Sequence, residues 1–194
     1  MNIHALSVIS FIALIFAESS IYSLAVVLCA MWHELGHIIA IYILGAGIAE
    51  ISFLPFGVEI RMKNELSYRD DLIVAAAGPF FNLLSSGVFH VAYMAFPHPF
   101  LVFCAVCSLF LCGINLVPVK GFDGGRMVRS VVFSLTEYEK ALKFIKISEL
   151  LAFLLLTYFS LFAVKLSCFN ISLIAICLYL FLSVYLKEHI CITV

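Results

Sequence analysis

The sequence predicts an all-α polytopic membrane protein of about six transmembrane helices, with a short membrane-associated β-hairpin between the second and third. Three observations predict it. First, 64% of the 194 residues are hydrophobic and only 12% are charged, where a soluble domain carries about a quarter charged residues. The mean hydropathy is +1.16, and a chain of this size cannot bury that much apolar surface in its own core, so the remainder must face lipid. Second, apolar runs of nearly spanning length recur along the chain, broken by charged or Gly/Pro-rich stretches. Third, lysine and arginine collect in alternate connections between those runs, the asymmetry that sets membrane orientation.

The runs place spans at 3–18, 20–44, 69–95, 98–117, 144–164 and 168–187. The first falls short of the roughly 20 residues a helix needs to cross a bilayer. It also lacks the basic start of a secretory signal, so it reads as a retained span. Between spans two and three, Ile51, Phe53, Val58, Ile60 and Met62 alternate with other residues around Pro55 and Gly57. The alternation predicts a hairpin over 50–62 with Pro and Gly at the turn, and its apolar character predicts that it dips into the membrane. An ordinary amphipathic loop is the alternative.

With six spans both chain ends share one side with the connections after spans two and four. That side collects Arg61, Lys63, Arg69, Lys120, Arg126, Arg129, Lys140, Lys143, Lys146 and Lys187, against Lys165 alone on the other. Both termini are therefore expected in the cytoplasm. The net charge of −1 leaves no basic face for nucleic acid. The seven cysteines are odd in number and lie mostly in apolar runs, which does not predict a disulfide framework. Cys104 and Cys107 form a C-x-x-C, but they sit inside FLVFCAVCSLFLCG, where cysteine acts as a small apolar side chain.

The chemistry begins in span two, at His33-Glu34-Leu35-Gly36-His37. Helical residues four apart lie about 40° from each other around the axis, so both imidazoles can reach one zinc ion. Glu34 stands next to the first ligand, placed to take a proton from water. An isolated histidine in a core is usually a satisfied structural residue. Two histidines and a glutamate in an apolar helix are harder to explain that way, because a charged group at membrane depth costs at least about 2.5–3.5 kcal/mol.

Catalytic zinc takes three protein ligands and keeps a fourth position open. The candidate third ligand lies in NLVPVKGFDGGRM, 115–127, where Pro118, Gly121, Gly124 and Gly125 are expected to prevent a regular helix. Asp123 is the only carboxylate in that stretch. It is a metal ligand or, equally well on these residues alone, the N-cap of a following helix.

H-E-x-G-H on an early span, followed by N-L-x-P-x-x-x-apolar-D-G-G-R at Asn115, Leu116, Pro118, Asp123, Gly124, Gly125 and Arg126, resembles the site-2 protease family of intramembrane zinc metalloproteases. Ala77-Gly78-Pro79-Phe80-Phe81-Asn82 matches a third feature of that family. The six-span layout is most similar to the compact sporulation-protease branch. The resemblance implies one Zn2+ per chain held by His33, His37 and Asp123, with Glu34 as catalytic base. It implies that Asn115 helps hold the substrate backbone or the oxyanion, and that Gly78 and Pro79 pack the middle span against the catalytic core. Asn115 otherwise reads as a helix-ending residue before Pro118, and Asn82 reads as structural.

The resemblance further implies a multi-pass protein of the bacterial cell membrane whose substrate is a transmembrane or membrane-associated protein. No PDZ insertion and no nucleotide-sensing domain stand in the sequence, so 1–194 is expected to be a single membrane-embedded metalloprotease domain. Control would come from a membrane regulatory partner or from substrate processing. Gly121 replaces a proline common in relatives and is expected to loosen that segment. His33 lies about eleven residues from the end of span two, about 16 Å deep, so water must reach the metal through a cavity. A metal transporter would also place His33, His37 and Asp123 in a membrane, but would leave Glu34 and the hairpin without a role. An inactive homologue that binds helices without cutting them would need neither the ligands nor Glu34.

Overall fold

The computed structural model describes residues 21–54, 57–119 and 121–166. The predicted spans at 3–18 and 168–187, both termini, and Lys120 lie outside these residues. Within them the order is α1 (Ile21–Ile43), β1 (Ile48–Leu54), β2 (Gly57–Met62), α2 (Tyr68–Ala95), α3 (Pro99–Asn115), α4 (Asp123–Leu135) and α5 (Tyr138–Leu166). The fold is mostly helical, as its composition predicts.

Local sequence explains where the helices start. Ser67 caps α2 by accepting from the Asp70 amide, and Asp70 and Asp71 place negative charge against the positive end of the helix dipole. At α3 the His98 ring accepts from the Phe100 amide and Pro99 opens the first turn, where its missing N–H costs nothing. Helices α1 and α2 are long and apolar enough to cross a membrane. Helix α3 sits at the predicted fourth span, but its 17 residues are short for a bilayer at 1.5 Å per residue. Helix α5 contains the predicted fifth span.

The distribution of polarity is inverted relative to a water-soluble fold. His33, His37, Asn82, Ser108 and Ser130 are buried, while Leu24, Leu28, Met31, Phe80, Leu84, Val88, Phe110 and Leu154 are each more than half exposed among the described residues. Water would penalise such a surface, whereas lipid does not. Between the helices, Ser86 donates to the Ala105 carbonyl and Ser108 to the Cys29 sulfur, which keeps these hydroxyls satisfied away from water.

The predicted hairpin is present. β1 and β2 pair antiparallel, with Ile51 opposite Ile60 and Phe53 opposite Val58, and the register shifts once between Ile48 and Glu50. The alternation noted in the sequence is thus one face of a two-stranded sheet, and the loop alternative fails. Gly57 opens β2 opposite Leu54, and Pro55, the other residue expected at the turn, lies outside the described residues. Ile48, Ile60 and Met62 pack against the buried cluster of Ala40, Ile41, Ala46 and Val74. The hairpin is therefore seated across the end of α1 and the start of α2.

One expectation is corrected here. The stretch 115–127 was expected to resist regular helix throughout, but α4 begins at Asp123 and takes Gly124 and Gly125 into its first turn. First-turn amides have no intrahelical partner in any case, so glycine weakens a helix least there. Behind the glycines, Val128, Val131, Val132 and Leu135 repeat at helical spacing. The N-cap is Phe122, with no side-chain capping bond, so Asp123 is not the cap. Its carboxylate is left for other work.

Candidate metal centre

Helix α1 sets His33 and His37 one turn apart on its buried face, with ring centroids 4.9 Å apart and nearly perpendicular planes. Each ring is held from behind by α2. His37 Nδ1 donates to the Val74 carbonyl at 2.8 Å, which leaves its Nε2 lone pair facing forward. The Asn82 side-chain nitrogen donates to His33 Nδ1 at 3.1 Å. Asp123, at the first turn of α4, brings Oδ2 to 3.0 Å from His33 Nε2 and 3.3 Å from His37 Nε2. The two Nε2 atoms are 3.2 Å apart.

Three electron-rich atoms from two distant parts of the chain therefore meet at nearly equal separations, and the group is the one that could hold a metal among the described residues. Zinc–ligand bonds of about 2.0–2.1 Å in a tetrahedron would put ligand atoms about 3.3 Å apart, so the spacing fits. Asp123 Oδ2 is also buried, and among the described residues only the two Nε2 atoms stand near enough to partner it. A buried carboxylate oxygen left this way is costly unless a cation satisfies it. A His2Asp donor set suits zinc and leaves the fourth position of a tetrahedron open.

Two close approaches make the convergence possible. A Cβ on Gly78 would lie 2.7 Å from His33 Nε2 and nearer still to His37 Nε2, so only glycine lets α2 pass behind the ligand atoms. A Cβ on Gly124 would collide with the Leu116 carbonyl and come within 2.7 Å of the Val117 carbonyl. Without a side chain there, the Asp123 turn can fold back onto the end of α3.

A pocket opens onto these atoms, and Glu34, Asn115, Arg126 and Ile60 line it with them. Glu34 is partly buried, and among the described residues nothing hydrogen-bonds its carboxylate. It is free to exchange a proton with water in the pocket. Asn115, the last residue of α3, donates from Nδ2 to the Leu111 carbonyl at 3.0 Å. An amide nitrogen carries two hydrogens, so one remains for a ligand. Both readings of Asn115 therefore describe it: it ends a helix and it faces the pocket. Ile60 brings β2 of the hairpin to the rim.

All five residues singled out in the sequence thus meet in one place, His33, His37 and Asp123 at its centre and Glu34 and Asn115 on its wall. Sequence reasoning missed what two others do. Asn82 was read as structural and in fact touches His33. Arg126 was named in the motif and counted among the basic residues of one side without a role in the site, yet it lines the pocket and is paired with Asp71. Gly78, expected to pack the middle span against the catalytic core, does so, lying against the ligand atoms. Asn82 carried a usable signal, since a polar side chain within an apolar helix is a functional candidate by default. Asp71 carried none.

Comparison with known proteins agrees with the motifs. Residues 94–159 match peptidase family M50, a stretch that takes in Asn115 and Asp123. An alignment of 116 residues is 29% identical to a zinc metalloprotease of Methanocaldococcus jannaschii, covering 57% of this chain and 34% of the relative. The aligned part thus spans about a third of that protein's length. The solved structure of a site-2 protease from the same organism superposes with a TM-score of 0.66 at 25% identity, covering 92% of this chain and 85% of that one.

Proposed function

We propose that this chain, a site-2 protease relative by motif, family match and fold, is an intramembrane zinc endopeptidase that cuts a transmembrane or membrane-associated protein. The observation that carries the proposal is the meeting of His33 Nε2, His37 Nε2 and Asp123 Oδ2 at 3.0–3.3 Å, beside a carboxylate that bonds to none of them. When bound there, zinc supplies Lewis acidity toward a carbonyl and toward water.

The chain's own residues supply the rest. Glu34 accepts the proton of the attacking water and can return it to the leaving amine. The second N–H of Asn115 donates to the oxygen on which charge develops. A substrate helix must unwind first, because its carbonyls are otherwise bonded within the helix. Among the described residues the outer edge of β2 is unpaired, Ile60 of that strand lines the pocket, and an unwound segment would pair there by strand addition. The proposal includes six spans with both termini in the cytoplasm of a bacterial cell, one domain over 1–194, and control by a membrane partner. Positive charge between alternate spans supports that orientation. Metal transport is a poorer reading, because it gives no role to Glu34 or to the strand at the rim.

The test uses the full chain, purified in detergent and returned to lipid with candidate membrane substrates. Zinc-dependent cleavage is expected, lost on chelation and regained on adding zinc. Glu34→Gln should bind zinc as before, fail to cut, and retain substrate for identification. Full activity in Glu34→Gln would overturn the mechanism.

A further inference from the structure

His33 and His37 are held by unlike partners. Behind His37 stands the Val74 main-chain carbonyl, which can only accept, so the His37 proton sits on Nδ1. Behind His33 stands the side-chain amide of Asn82, wholly buried, and an amide can either donate or accept. With neutral rings the donors run in one direction. Asn82 Nδ2 gives to His33 Nδ1 and His37 Nδ1 gives to Val74, while His33 Nε2 lies 3.0 Å from Asp123 Oδ2 and 3.2 Å from His37 Nε2. That order puts a proton on His33 Nε2, the atom facing Asp123. A ring cannot offer this nitrogen to a metal while it holds the proton.

Asn82 also holds the means of reversing the order. Its Oδ1 is buried without a hydrogen-bond partner among the described residues. A half turn of the amide would break the bond to His33 alone and put Oδ1 where Nδ2 stood. Oδ1 would then accept from His33 Nδ1–H, and Nε2 would be free. We propose that Asn82 is a positioning residue for His33, whose amide orientation decides which ring nitrogen keeps the proton and so whether His33 can take a metal. The change conserves charge: one proton leaves Nε2 to water, one is taken up from water at Nδ1, and the ring stays neutral. Partners of this kind behind ligand histidines typically account for about 10–100-fold in metal affinity.

The proposal rests on the reading of His33 as a zinc ligand, and the experiment separates the two. Zinc affinity is measured by competition with a chromophoric chelator for the purified full chain, for Asn82→Leu and for Asn82→Asp. Leucine keeps the bulk but cannot accept, and about a 10–100-fold loss of affinity is expected. Aspartate can only accept from Nδ1–H, and affinity at least equal to the parent is expected. Equal affinity in Asn82→Leu, or a loss in Asn82→Asp as large as in Asn82→Leu, would overturn the proposal. Should Asn82→Leu fail to fold, nitrogen NMR of 15N-histidine-labelled parent decides. His33 should carry its proton on Nε2 in the metal-free protein and on Nδ1 in the zinc-loaded one, and a metal-free His33 already protonated at Nδ1 would overturn it. If the parent itself binds no zinc, the functional reading fails instead.

Discussion

Arg126 holds Asp71 through two guanidinium nitrogens on one carboxylate oxygen, while Ser130 donates to the other. Asp71 lies in the first turn of α2 and Arg126 one turn beyond Asp123 in α4, so this half-buried cluster ties the third candidate ligand to the helix behind the other two. Charge-assisted bonds of this kind contribute about 1.5–3 kcal/mol when well shielded and less when part-exposed. Arg126→Ala is therefore expected to lower stability by about 1–2 kcal/mol and to reduce bound zinc, read by thermal unfolding in detergent and by metal analysis. Arg126→Lys should recover only part, since an ammonium cannot reproduce the fork. Unchanged zinc content in Arg126→Ala would mean that Gly124 against Leu116 sets the Asp123 turn alone.

Gly78→Ala should damage the metal centre more than the fold. The added methyl meets His33 Nε2 and His37 Nε2, and these rings are fixed by Asn82 and Val74. Overpacking typically costs about 1–3 kcal/mol, and displaced ring nitrogens would express it as a loss of zinc affinity of roughly tenfold or more. Chelator competition reads it directly. Parent affinity in Gly78→Ala would show that the rings can yield at no cost.

What the sequence made legible follows from how its signals are carried. His33, Glu34 and His37 were readable because helical spacing fixes their geometry within one element. The hairpin was readable because Ile51, Phe53, Val58 and Ile60 keep a two-residue period. Asp123 needed a family resemblance, since its approach to the histidines depends on the packing of α4 against α2, which no local period encodes. Helix α4 entered only as a helix that Asp123 would cap, because Gly124 and Gly125 were weighed as breakers, although they stand where a helix tolerates them. The Asp71–Arg126 pair joins residues 55 positions apart, and a single sequence holds no trace of such a meeting.

Asp123 and Asn115 line the same pocket but should fail differently when replaced. Asp123→Ala removes an atom that faces both Nε2 nitrogens, so zinc content should fall. Asn115→Ala removes a donor bonded to Leu111 and otherwise free for an oxyanion, so zinc should stay while turnover drops by about 10²–10³. Stoichiometric zinc in Asp123→Ala would assign the third ligand to another residue.

Lys63 and Lys143 should face the same side of the membrane, the cytoplasmic one. Lys63 immediately follows β2, five residues before α2 begins at Tyr68, and Lys143 lies in the second turn of α5, which begins at Tyr138. Tyr68 stacks on Phe133 and Phe133 on Tyr138, with centroids 5.9 and 5.5 Å apart. The starts of α2 and α5 are therefore at one end of the molecule, and both lysines are exposed there. The predicted excess of basic residues falls at this end, so this end is the one expected in the cytoplasm. Each lysine is replaced singly by cysteine in a cysteine-free background and treated with a membrane-impermeant thiol reagent. Neither should react in intact cells, and both should react once the cytoplasmic face is opened. Reaction of one without the other would break the shared end that the aromatic stack defines, whereas reaction of both from outside would leave the fold intact and invert its orientation.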